Sequence, residues 1–151
     1  MKIALAADHA GFLLKSRLVP WLNESDHEIV DLGAYIYDGG DDYPDLAEDV
    51  AESILGARAE RGILICGSGV GAVITANKFK GIYACLCHDT YSARQGVEHD
   101  NMNVLCLGGR IIGVELAKEL INVFLQAQHL QMESYRRRIE KIREIEAVNF
   151  K

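Results

Sequence analysis

Read for the period of its apolar positions, the chain alternates between two kinds of segment. Runs of strand length, apolar at nearly every position, occur at 2–8 (KIALAAD), 28–33 (EIVDLG), 62–67 (GILICG), 83–89 (YACLCHD) and 103–109 (NVLCLGG). Between them apolar residues recur at helical spacing over about 12–24, 44–58, 71–79, 90–99 and 113–129, and a charged helix over about 133–148 follows. Continuous apolar runs suit strands covered on both faces, and repeated strand–helix alternation predicts βαβ units with right-handed crossovers. The expected fold class is α/β: one domain over residues 1–151, a Rossmann-like three-layer sandwich with a five-stranded parallel sheet and a C-terminal tail helix. Pro44 suits the first turn of the second helix, and Thr90 is a candidate N-cap for the fourth. The pattern leaves the strand order open.

Composition matters here for what it excludes. Sixteen basic against twenty-two acidic residues give a net charge of −6, which argues against binding along a nucleic acid or on an anionic membrane. A small anion in a local pocket stays compatible with that charge. The first apolar run is broken at Asp8, too early for a signal peptide, and no later run reaches the length of a membrane span, so a cytoplasmic setting is expected. The four cysteines form no CxxC pair and no metal-type spacing with histidine, so no metal is expected. Cys85, Cys87 and Cys106 read as small buried strand residues, whereas Cys66 ends its strand and meets a loop.

In an open parallel sheet, ligands sit beyond the carboxyl ends of the strands, and three loops qualify: ADHAG (7–11), CGSGVG (66–71) and CHDT (87–90). Gly67, Gly69 and Gly71 permit close approach of an anion to bare backbone amides, Ser68 adds a hydroxyl, and Cys66 adds a possible acid or base. The loop is neither a dinucleotide fingerprint nor a P-loop, and a tight strand-to-helix turn is its plainer explanation. Asp8 and His9 join the same cleft, or else Asp8 caps a helix and His9 lies exposed. His99 and Asp100 end the fourth helix at the amino edge of the sheet. There His99 either complements a helix dipole or reaches a neighbour's cleft, with Ile139, Ile142 and Ile145 of the tail docking on that partner.

The segments AADHAGFLLK, DYPDLAEDVA, GILICGSGVGAVITANKFKGIYA and EHDNMNVLCLGGRIIGVELAKELINVFL resemble the ribose-5-phosphate isomerase type B family, which also includes the galactose-6-phosphate isomerase subunits. The resemblance spans residues 1 to about 130. It implies a metal-free, cofactor-free aldose–ketose isomerase of a small phosphorylated sugar, a homodimer or homotetramer with each active site shared between two subunits. It also implies Cys66 as the base that moves a proton between C1 and C2, and the amides of Gly67 to Gly71 as the cradle of the enediolate. Ser68 stands for the usual threonine. The glutamate some members use is here Ala72, and His99 matches the ring-opening residue. Asp8 corresponds to a hydroxyl-binding position, Tyr43 lies in the matching DYP turn, and His9, Arg110 and Arg138 match positions associated with the phosphate.

Three departures bear on the substrate. Asp100 replaces a usual asparagine, and Ser134 and Tyr135 stand where an arginine and a histidine are common, with Arg136 or Arg137 as possible replacements for the lost cation. Ribose 5-phosphate is therefore the family default, with another tetrose, pentose or hexose phosphate as the alternative. A non-catalytic sugar-phosphate or nucleotide binder and a metal-dependent isomerase are the competing classes.

Overall fold

The computed structural model describes residues 1–150. The order along the chain is β1 (Lys2–Ala7), α1 (Phe12–Asn23), β2 (Glu28–Asp31), α2 (Tyr43–Leu55), β3 (Arg61–Cys66), α3 (Val70–Ala76), β4 (Ala84–Leu86), α4 (Thr90–Asp100), β5 (Val104–Gly108), α5 (Val114–Gln126) and α6 (Glu133–Asn149). The strands form one parallel sheet in the order β2-β1-β3-β5-β4. The chain builds outward from β1 in one direction and from β3 in the other, so a crevice opens where β1 and β3 diverge at their carboxyl ends. No helix among the described residues is long and apolar enough to cross a membrane.

Strand period 2 sorts side chains by size onto the two faces. Ile3 and Leu5 of β1, Ile63 and Ile65 of β3, and Leu105 and Leu107 of β5 pack with Leu18, Leu120, Ile121 and Phe124 of α1 and α5. Ala4, Ala6, Leu64, Cys66 and Cys106 point the other way and meet Ala47, Val50 and Ala51 of α2 and Ala72 and Ala76 of α3. Small residues on that face let α2 and α3 sit close to the sheet, and Cys66 belongs to this layer. Lys15, buried on α1, donates from Nζ to Asp31 Oδ1 at 2.5 Å and to the Ala34 carbonyl at 3.2 Å, which ties α1 to the β2 edge.

Several expectations change. Asp89 and not Thr90 caps α4: it has the extended backbone a cap requires, and its carboxylate accepts the Ser92 N–H at 2.7 Å, while Thr90 is already helical. Cys85 is exposed, because β4 is a three-residue edge strand; hydrogen bonding with Cys87 pulls the Cys85 thiol down to about 7 and pushes that of Cys87 up. Ile139 is buried against its own chain and so is withdrawn from any outer face, whereas Ile142 and Ile145 are exposed. Glu146 fastens the far end of α6 by accepting from the Gly81 N–H at 3.0 Å and the Tyr83 hydroxyl at 3.1 Å.

The closest approach of a loop to the sheet lies at Gly11, ahead of α1, where a Cβ would fall 2.2 Å from the Ile65 carbonyl oxygen. That neighbour is backbone of a central strand and has no means of yielding. Gly11→Ala is expected to destabilise the fold by about 1–3 kcal/mol. In urea unfolding the midpoint should drop while the slope stays unchanged, and an unaltered midpoint would contradict the packing described.

Candidate active site

Each wall of the β1/β3 crevice is built by a strand that ends on a short polar loop. At the end of β1 the chain turns through Asp8, whose Oδ1 accepts the N–H groups of Ala10 and Gly11, both at 3.0 Å. Asp8 thus holds the turn ahead of α1 and does not cap the helix, whose N-cap is Gly11, and it borders the cleft, buried at 5% exposure. Its own amide donates to the Ile65 carbonyl at 3.2 Å, which locks the β1 loop to β3. His9 follows. Its Nδ1 lies 2.7 Å from Asp41 Oδ1, which also accepts the His9 backbone N–H at 2.9 Å.

Cys66 closes β3. Its sulfur accepts the Gly69 N–H at 3.1 Å, so that amide is turned onto the thiol and is not one of those facing the cleft. Gly69 has φ of +84°, and a Cβ there would fall 2.4 Å from Leu86 Cδ1, so the turn requires glycine. The Val70 N–H is directed to Ser68 Oγ at 3.3 Å. The amides of Gly67 and Gly71 have no backbone or side-chain partner among the described residues. Gly71 is glycine for contact: a Cβ would fall 2.5 Å from the Tyr43 ring, which closes one wall from the start of α2.

The third wall of the cleft is the loop after β5, not the CHDT loop after β4 that the sequence suggested, because β5 and not β4 lies beside β3. The Gly109 N–H donates to the Cys66 carbonyl at 2.8 Å and the Arg110 N–H to the Gly67 carbonyl at 3.0 Å, which brings Arg110 to the rim. Arg110 makes no salt bridge among the described residues. The resulting open cleft of about 600 Å³ gathers Asp8, His9, Tyr43, Cys66, Gly67, Ser68, Gly71 and Arg110, eight of the residues singled out from sequence, with Gly69 just beneath. A larger cavity of about 710 Å³ beside α6, lined by Lys80, Tyr83, Asn103, Arg143 and Glu146, holds no thiol, hydroxymethyl or histidine side chain.

His99, Asp100 and Arg138 are not in this cleft. The register of β3 with β5 runs from Gly62 opposite Val104 to Cys66 opposite Gly108, and α4 returns the chain to the Val104 end, so His99 and Cys66 are separated by at least about 13 Å of strand. His99 instead stacks on Tyr135 of α6, with ring centroids 4.1 Å apart and planes at 19°, and its Nδ1 lies 2.7 Å from Gln95 Nε2. Asp100 is exposed beside it, and Arg138 is exposed one turn beyond Tyr135. Arg136 borders a different cavity with Asn101 and His129, and Arg137 lies 4.0 Å from Glu133.

Two residues of the site were not singled out from sequence. His88, in the third candidate loop, accepts the Gly108 N–H on Nε2 at 3.0 Å and so fixes the end of β5. Asp41 stands in an aperiodic stretch, GGDDYPD, that reads as a solvated turn. Asp8, His9 and Asp41 place one donor atom each within 4.8 Å of the others, the spacing of a metal site. The 2.7 Å contact with a carboxylate puts a proton on His9 Nδ1, however, and that nitrogen then has no lone pair for a cation.

Comparison with known proteins shows what the chain as a whole resembles. The ribose/galactose isomerase family model matches residues 3–142. Ribose-5-phosphate isomerase B of Escherichia coli is 43% identical over 145 residues, 96% of this chain and 96% of that protein. A D-erythrulose-4-phosphate isomerase of Pectobacterium atrosepticum is 42% identical over 131 residues, 85% of this chain and 84% of that one. The solved structure of Clostridium thermocellum ribose-5-phosphate isomerase B superposes with a TM-score of 0.93 at 38% identity, covering 98% of this chain and 99% of that one.

Proposed function

We propose, from the premise that this chain belongs to the ribose/galactose isomerase family, that Cys66 is the base of an aldose–ketose isomerisation in the cleft between β1 and β3. Membership carries the reaction class: the chain is a sugar-phosphate isomerase. The residue roles rest on one observation above all, a thiol at the mouth of a glycine loop whose Gly67 and Gly71 amides are unengaged.

The Cys66 thiolate takes the proton from C2 of the open-chain aldose, and the electron pair moves onto the carbonyl oxygen at C1. The negative charge of the enediolate then lies on oxygens within reach of the Gly67 and Gly71 amides and the Ser68 hydroxyl, which stabilise it more than they stabilise the neutral carbonyl. The hydroxyl proton moves from O2 to O1, and the thiol returns its proton to C1 to give the ketose. Asp8 accepts from sugar hydroxyls, and His9 and Arg110 bind the phosphate. His99 opens the cyclic sugar, with Arg138 as a further phosphate cation, and both come from a second copy of the chain. The cleft rim favours such a cover, because Val70, Ile74 and Ile111 are exposed apolar residues around it.

Ribose 5-phosphate and ribulose 5-phosphate are the default pair. Asp100 and the stacking of Tyr135 on His99 change the part of the site that meets the cyclic sugar, and move preference away from ribose 5-phosphate. A carboxylate only accepts hydrogen bonds, where an amide also donates.

Cys66→Ala is expected to keep ligand binding and lose about 10²- to 10⁴-fold in turnover, together with exchange of the substrate C–H with solvent. Near-normal turnover in that variant would remove the assignment, and binding without C–H exchange in the wild type would identify a non-catalytic binder. On cyclic ribose 5-phosphate, mixing inactive Cys66→Ala and His99→Asn chains should restore activity through hybrids in which one site carries neither lesion; hybrids verified by mass spectrometry that stay inactive would place both residues in one chain's site. In a panel of four- to six-carbon aldose and ketose phosphates, another sugar should exceed ribose 5-phosphate in kcat/KM, with Asp100→Asn shifting the ratio on the order of ten- to a hundredfold. Tetrose 4-phosphates have no free hydroxyl with which to close a five- or six-membered ring. His99→Asn should therefore spare them, and equal losses on all sugars would contradict a ring-opening role.

A further inference from the structure

Asp41 stands behind His9 and does not itself border the cleft. One oxygen, Oδ1, accepts both the ring nitrogen Nδ1 at 2.7 Å and the backbone N–H of His9 at 2.9 Å, so ring and main chain are pinned at a single point. The Asp41 side chain is 15% exposed and that of His9 29%, and the second oxygen, Oδ2, is buried without a hydrogen-bond partner. Tyr37 sets its ring edge-on to His9 at 6.4 Å and limits rotation from the other side. With Nδ1 committed as a donor to Asp41, Nε2 is the nitrogen left for a ligand.

Resting on the reading of this cleft as a phosphosugar site, we propose that Asp41 is a positioning residue: it fixes His9 with Nε2 directed to the substrate phosphate and holds it as the imidazolium that phosphate requires. The charged and titratable groups around His9 divide clearly. Asp41 and Asp8 favour the cation, Arg110 shares the rim, and Tyr37, Tyr43 and Cys66 complete the surroundings. The His9 pKa lies above its ordinary value, chiefly through the hydrogen bond that its ring donates to Asp41, with partial burial opposing and the Asp8 charge assisting. A raised histidine value keeps the cation to higher pH. Phosphate binding is therefore lost as pH rises through the His9 pKa, at a higher pH than an unperturbed histidine would set.

Direction distinguishes this role from a simple charge effect. Removing a carboxylate near an anion site tightens anion binding when the residue acts only through its charge, whereas loss of a residue that maintains a cation weakens it. The first measurement is the titration of the His9 ring protons by NMR, assigned with His9→Asn. The wild-type midpoint should lie above about 6.5 and should fall in Asp41→Asn. The second is binding of ribose 5-phosphate, and of inorganic phosphate, in a Cys66→Ala background at pH 6 and pH 8. Asp41→Asn should raise the dissociation constant at pH 8 roughly five- to tenfold and leave it close to normal at pH 6.

An unshifted His9 in the wild type overturns the proposal without any need for the variant to fold, and so does tighter binding by Asp41→Asn at pH 8. Loss of the His9 titration on adding zinc, reversed by a chelator, would give the Asp8, His9 and Asp41 cluster to a cation instead. Normal turnover by Cys66→Ala would defeat the isomerase mechanism and leave the His9 titration, which requires no turnover, to decide the role of Asp41.

Discussion

The cleft depends on three loops that approach one another with no side chain between their backbones. A Cβ on Gly11 would lie 2.2 Å from the Ile65 carbonyl oxygen, one on Gly109 would lie 2.9 Å from the Ala10 carbonyl oxygen, and one on Gly108 would lie 2.8 Å from that of Ser68. These contacts bind the exits of β1, β3 and β5 into one floor. The Asp8 amide can then reach the Ile65 carbonyl, and the Gly109 amide the Cys66 carbonyl. An alanine at any of the three positions forces main chain against main chain, which rigid central strands resist. The carboxylate, imidazole, thiol and guanidinium that ring the cleft are brought together by glycines that carry no chemistry.

The same geometry sets Cys66 apart from Cys106. Cys66 and Cys106 face the same small-residue layer on adjacent strands, but Cys106 is aligned with Leu64, inside the sheet, and burial pushes its thiol far up. Cys66 is two positions nearer the carboxyl end, opposite Gly108, where the strand gives way to the glycine loop and the Gly69 amide meets the sulfur. A shift of two residues along a strand keeps the face and changes the surroundings from core to cleft.

Most of the layer structure was legible in the sequence, because hydrophobic period carries it. The strands that lie inside the sheet, β1, β3 and β5, were readable as continuous apolar runs, and the alternation correctly implied that His99 returns to the amino edge. What periodicity does not encode was missed. The run containing Cys85 looks buried, yet β4 pairs on one side only, and edge position is a property of strand order. Thr90 and Asp89 are both good capping residues by composition, and backbone geometry chose between them. Ile139 fits an outward stripe with Ile142 and Ile145 but turns toward its own chain. Asp41 was invisible for a different reason. It lies in an aperiodic loop 32 residues from its partner, and only the fold brings it to His9.

Parallel topology imposes a division on this site. Every strand leaves the sheet at the same edge, so loops after β1, β3 and β5 share one rim, while helices such as α4 carry their last residues to the opposite one. His99, with Tyr135 stacked on it, is held on that far rim by α4 and α6, and no loop rearrangement within one chain carries it across the sheet to Cys66. With the proposed base at one rim and the proposed ring-opening histidine at the other, the reaction would need two copies, each giving its carboxyl-edge cleft to one site and its amino-edge histidine to the other. In that proposed arrangement the exposed Val70, Ile74 and Ile111 around the cleft would be the surface a second copy covers. Such a cover would remove apolar area from water and at the same time exclude water from the proposed enediolate, so association and transition-state stabilisation would draw on the same contact.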